Sequence, residues 1–171
     1  MNNRKKTEML TRSAILLGLA ILCQSIRLII PMPPFVSVFI VGVLVNAILA
    51  LSTYELGVKN TFLISFVLPF VSYMQGQLPV ILFIPVIIAG NGVYIVVLNL
   101  LKGNNIYVYG AALLKAVVIY LGVYLASIFV ELPPIIMNTL AITFGYAQIF
   151  TGCVGIVLAR IAIRFLHSAK S

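Results

Sequence analysis

Charged side chains are too few in this chain to make a surface that water tolerates. Eleven basic and three acidic residues are spread over 171 positions, 8% of the total, while 63% are hydrophobic. A soluble domain carries about 25% charged residues. Such a composition fits a lipid environment, where helices satisfy their own backbone hydrogen bonds and turn apolar side chains to hydrocarbon. At roughly 20 apolar residues per crossing, the length allows about five to seven helices and no separate soluble ATPase, kinase or dehydrogenase domain.

Breaks in the apolar runs divide the chain into six expected spans, giving an all-α integral membrane protein, a six-transmembrane-helix bundle in a single domain, 1–171. The spans run approximately over 10–30, 35–52, 60–73, 80–101, 106–130 and 136–166. The first ends at Pro31-Met-Pro-Pro34, where proline removes donors and obstructs a continuing helix. Thr53-Tyr-Glu-Leu-Gly57 reads as the next turn, followed by Met74-Gln-Gly-Gln-Leu-Pro79, Lys102-Gly-Asn-Asn105 and Glu131-Leu-Pro-Pro134. The basic start, Met1-Asn-Asn-Arg-Lys-Lys6, resembles a secretory leader. The apolar run after it is too long for one and lacks a small-residue cleavage site, so it reads as a retained first helix.

An even span count puts both termini on one side. That side collects Arg4, Lys5, Lys6, Arg12, Lys59, Lys102, Arg160, Arg164 and Lys170, against Arg27 alone on the other. Cytoplasmic loops are enriched in Lys and Arg, so both termini are expected to be cytoplasmic. The formal charge of +8 is thereby explained by topology, with the lipid bilayer as partner and no nucleic acid.

No signature of soluble-enzyme chemistry is present. The sequence lacks GxxxxGK followed by Ser or Thr, GxGxxG, HExxH and CxxC, the arrangements that cradle phosphates, ligate metals or carry redox thiols. His167 is the single histidine and lies near the end of the chain. Three acidic residues leave little material for a carboxylate pair. The expectation is a protein that is not an enzyme and holds no cofactor or metal. Cys23 and Cys153 both sit in apolar runs, which makes a disulfide framework improbable.

The candidate binding residues are the polar groups at membrane depth. Lys115 lies about nine residues into the fifth span, about 13 Å deep at 1.5 Å per residue, near the middle of a core about 30 Å thick. A cation there is costly unless it faces the bundle interior, a cavity or a partner. Arg27 stands near the outer end of the first span, and Glu131, at the outer end of the fifth, could pair with Arg27 or face solvent. Two cations beside one outward-opening cavity favour an anionic ligand such as a carboxylate. Gln75 and Gln77 flank Gly76 in a tight polar turn that offers amide donors and acceptors. Asn91 is flanked by Gly90 and Gly92, where backbone approaches closely. Asn46 and Asn99 read first as interhelical hydrogen-bonding residues. Asn138, Tyr146 and Gln148 fall in the outer half of the last span, with Tyr73 and Tyr120 within reach of the same region. Ala14 and Gly18 are four apart on one face of the first span, a spacing that permits close helix contact.

Taken together, several segments resemble the substrate-binding S components of energy-coupling factor (ECF) transporters. They are Thr11-Arg-Ser-Ala14, Pro31-Met-Pro-Pro34, Gly42-x-x-x-Asn46, Ser72-Tyr-Met-Gln-Gly-Gln-Leu-Pro79 and Phe144-Gly-Tyr-Ala-Gln148. The resemblance extends over essentially the whole chain in size and layout. It implies a small vitamin-capture protein of a prokaryotic cell membrane, working with a membrane T component and two cytoplasmic ATPase subunits. It also implies an Ala-x-x-x-Ala surface for the T component, which here reads Ala14-Ile-Leu-Leu-Gly18, with glycine in the second position. Lastly, it implies an outward-facing pocket from spans 4 to 6 and the outer loops. That zone holds the Pro31–Pro34 loop, Gln75, Gln77, Asn91, Lys115, Asn138, Tyr146 and Gln148.

The substrate class is less constrained. Tryptophan is absent, which argues against an aromatic thiamine-type site, while Lys115 and Arg27 suit an acidic vitamin or precursor. A neutral compound held by amides is the other option. The main alternative function is a stand-alone secondary transporter or channel for a small metabolite. Such a protein normally shows internal repeats or coupling-ion ligands at the bilayer midplane, and neither is evident.

Overall fold

The computed structural model describes residues 3–78, 80–129, 139–140 and 142–168. Its helices are α1 (Asn3–Ile29), α2 (Pro34–Met74), α3 (Phe83–Leu101), α4 (Gly110–Ile128) and α5 (Ala147–Ser168). A short 3-10 turn, Tyr107–Tyr109, leads into α4, and a π-helical turn, Ile142–Tyr146, leads into α5. Glu131 and Asn138 lie outside the described residues.

Five helices among the described residues are long and apolar enough to cross a membrane, not the six expected. The difference lies in α2, where the second and third expected spans form one 41-residue element. The turn expected over Thr53–Gly57 shrinks to one non-helical residue, Gly57, at φ 78° and ψ 177°. Tyr54, Glu55 and Leu56 have no proline among them and continue the helix. Only the residue lacking a Cβ takes the conformation that breaks it, one that L side chains avoid. Carbonyls at the break are covered locally: Asn60 Nδ2 donates to Leu56 O at 3.1 Å and Thr61 Oγ1 to Gly57 O at 2.9 Å.

A straight 41-residue helix would be about 60 Å long. Yet Ser37, near its start, and Ser72, near its end, line the same cavity. The element therefore doubles back at Gly57, and its two arms flank that cavity. The first arm packs on α5 and the second on α1. Close approach of the first arm to α5 depends on glycine at both contacts. A Cβ on Gly155 would lie 2.8 Å from Ala47 N and from Asn46 Cβ, and one on Gly42 would lie 2.9 Å from Thr151 Cγ2. Lipid tails are as apolar as leucine, so tight packing through small residues is a main source of helix association here.

The bundle has two unlike ends. At one, Arg12 of α1 reaches Glu8 at 2.6 Å and Glu55 at 3.7 Å, and His167 of α5 lies 3.8 Å from Glu55. Arg160 of α5 donates to the carbonyls of Asn104 and Asn105 in the α3–α4 loop at the same end. This end holds a core of Leu49, Tyr94, Leu98, Val108 and Ile156 with their neighbours. At the other end, Leu78, Phe83, Ile84, Ile119, Val123 and Phe144 form a second apolar cluster. The cavity opens beside it.

Candidate functional site: a cavity with a cation at each end

The deep end of the cavity is built on Lys115, which sits five residues into α4 and is only 3% exposed. Its ammonium donates to Asn46 Oδ1 at 2.6 Å. Asn46 Nδ2 then donates to Thr151 Oγ1 at 3.1 Å, and Thr151 Oγ1 donates to Ala147 O at 2.7 Å. The chain of donors fixes the amide so that its oxygen faces the cation. The Lys115 ammonium also lies 5.1 Å from the centre of the Tyr94 ring, whose hydroxyl is committed to Gly152 O at 3.1 Å. A ring-face contact of this kind offers a desolvated cation partial compensation.

No carboxylate pairs with Lys115 among the described residues. Glu8 and Glu55, two of the three acidic residues, are engaged at the opposite end of the bundle. An ammonium has three donors, and one is used by Asn46. A buried cation without a counter-charge among the described residues is the strongest electrostatic feature of the site.

The outer end is built by α1 and the end of α2. Gln24 Nε2 donates to Ser72 Oγ at 2.6 Å and to Leu68 O at 3.3 Å. Gln77 Nε2 donates to Gln24 O at 3.1 Å and to Gln75 Oε1 at 2.6 Å, while Gln75 Nε2 donates to Ser25 Oγ at 2.8 Å. These amides fasten α1 to the turn after α2. Arg27 reaches Gln75 O at 3.4 Å and has no acidic partner among the described residues. Ser37, which lines the same cavity, is buried, and its hydroxyl has no hydrogen-bond partner among the described residues.

Between these ends the cavity encloses about 150 Å³. Its apolar walls are Val38, Val41 and Val45 of α2's first arm, Leu68 of the second, Ile87 of α3 and Phe144 of the π turn. Asn91, Thr143 and Gln148 add polar groups. A π turn inserts an extra residue and shifts the angular phase of the helix beyond it. Phe144 in this turn and Gln148, four residues on, both line the cavity, and Gln148 Nε2 reaches back to Thr143 O at 3.5 Å.

Of the residues expected to bind substrate, Lys115, Asn91, Gln77, Arg27 and Gln148 line this one cavity. Gln75 does not line it and instead supports Gln77 from behind. Tyr73 and Tyr146 are 41% and 77% exposed and point away from it, because each falls on the outer face of its helix. Asn138 falls outside the described residues. Asn46 is both an interhelical contact and a wall residue. Gln24, Ser37 and Ser72 also line the cavity, and single polar residues inside apolar helices were the available sign. Ala14 and Gly18 are exposed on α1, with nothing within 4 Å of a Cβ built on Gly18. Among the described residues no group of histidine, cysteine and carboxylate side chains could hold a metal ion.

Compared with known protein families, with curated proteins and with solved structures, the chain matches none.

Proposed function

We propose that this protein is the substrate-capture subunit of an ATP-driven, ECF-type importer for a small acidic, vitamin-like molecule. The observation that carries the reading is the buried ammonium of Lys115, held by Asn46 at the deep end of a cavity and lacking a carboxylate partner among the described residues. A desolvated cation of this kind is stabilised by an anion that arrives with its own charge. The ligand enters between α1 and the end of α2, is selected by Lys115, Asn91, Gln77 and Gln148, and is shielded by the apolar walls. The basic end faces the cytoplasm with both termini, as the bias toward lysine and arginine there supports. The open small-residue face of α1 at Ala14 and Gly18 receives the membrane T component. Two cytoplasmic ATPase subunits supply the energy, and the chain performs no chemistry on its ligand.

Mass spectrometry of small molecules released from gently purified protein tests this reading, with Lys115→Met as the control. A stoichiometric acid in the native protein, absent from the variant, is the expected result. A neutral compound retained equally by both would remove the acid-capture role of Lys115. Uptake that follows an ion gradient and ignores the ATPase subunits would favour a secondary transporter instead.

A further inference from the structure

The cavity has two cationic ends, and their separation defines a ligand. Ser37 and Asn46 mark the outer and deep ends on the first arm of α2, and the helical rise between them is about 13 Å. The stripe connecting them, Val38, Val41, Gly42 and Val45, lines the same cavity. The cavity volume of about 150 Å³ suits a small molecule, and a chain that follows this stripe reaches from one end to the other. The valine stripe provides no hydrogen bonds to the middle of an occupant, while Asn91, Thr143 and Gln148 add polar groups from other elements.

Both ends have donor capacity left unused among the described residues. Lys115 spends one of three N–H donors on Asn46, and Arg27 spends one of five on Gln75 O at a long 3.4 Å. The Ser37 hydroxyl, in a residue only 4% exposed, has no partner. No carboxylate is paired with either cation among the described residues. A ligand with one negative end would satisfy Lys115 and leave Arg27 and Ser37 idle.

We propose that the cavity binds a linear α,ω-dicarboxylate, one carboxylate on Lys115 and the other on Arg27 and Ser37, with the methylene chain along the valine stripe. This assignment rests on the capture reading above and narrows its substrate class. Lysine and arginine both reach inward, so the carboxylates sit closer together than the helical rise between the two ends. Chains between adipate and sebacate are expected to fit best, with glutarate the weakest of the series.

The test is isothermal titration of the full chain in nanodiscs with glutarate, adipate, suberate and sebacate, each against its own monomethyl ester. An ester keeps the length and removes one charge. The best diacid should bind about 10- to 150-fold more tightly than its monoester, the range expected for a hydrogen bond to a charged group. Arg27→Gln should reduce the diacid to the monoester's affinity while leaving the monoester unchanged, and Lys115→Met should weaken both. Equal binding of diacid and monoester, or indifference of the diacid to Arg27→Gln, overturns the two-ended assignment while leaving capture of an acid at Lys115 standing. If no compound in the series binds to protein that remains folded, the dicarboxylate assignment is overturned. If the folded native protein also releases no more small molecule than Lys115→Met, the capture reading falls with it.

Discussion

Replacing Lys115 with methionine removes a charge while keeping an unbranched side chain of similar length. The substitution has two opposing effects on the empty protein. The variant no longer holds a desolvated ammonium, whose burial costs several kcal/mol even after relaxation. It also leaves Asn46 Oδ1 without the donor now 2.6 Å away, a loss of about 1–3 kcal/mol for a buried neutral acceptor. The first effect is the larger, so Lys115→Met should melt no lower than the native protein. Ligand affinity behaves differently, because an anion would enter the same pocket with no counter-charge. Truncating one partner of a buried, hydrogen-bonded charge pair costs about 2–5 kcal/mol, or roughly 30- to 4,000-fold in Kd. The paired assays are thermal unfolding by a thiol-reactive or intrinsic fluorescence probe and titration with the molecule released from native protein. A variant with unchanged Kd would refute the reasoning outright. One that melts far lower would show that Lys115 is part of the scaffold and that its charge is compensated in the empty protein.

Two further substitutions separate scaffold from surface. Gly57→Ala places a Cβ on a residue at φ 78° and ψ 177°, and should destabilise the protein by about 1–3 kcal/mol, read as a lower melting temperature in detergent; an unchanged melt would mean that the bend tolerates another backbone shape. Gly18→Leu adds a side chain where nothing lies within 4 Å, so melting and ligand affinity should stay native while co-purification with the T component is lost. Normal co-purification would remove that face from the proposed assembly.

Burial of Lys115 beside a cavity was legible in the sequence, while angular position around each helix was not. Lys115 could be placed near mid-membrane because turn residues bracket its span, and the cost of a charge there pointed to a cavity. Which way a side chain points needs a contrast between polar and apolar faces, and helices that are apolar all round supply almost none. Tyr146 and Gln148 show the consequence. They are two residues apart, about 200° around a helix, and one is 77% exposed while the other lines the cavity. Ser72 and Tyr73 divide in the same way. Ser37 and Gln24 carry little signal of their own, because a lone serine or glutamine at a span's end resembles an interfacial residue. The joined second and third spans have a different cause. Gly57 alone makes the break, with helical residues on either side, and the single strong turn-former of Thr53–Gly57 overstated the loop.

Placing the only break of α2 at Gly57 has a mechanical consequence. The second arm, from Val58 to Met74, is a helical rod about 25 Å long with Pro69 in its interior, and its pivot lies at the end of the bundle away from the cavity entrance. A rotation of about 10° at that pivot moves the rod's far end by about 4 Å while barely disturbing residues near Glu55. The far end carries Ser72, which is tied to α1 by the Gln24 amide, and leads into Gln77, which is tied there too. Movement of the entrance is thus geared to a few amide hydrogen bonds at one end and a single glycine at the other, and the packed contacts around Asn46 need not rearrange.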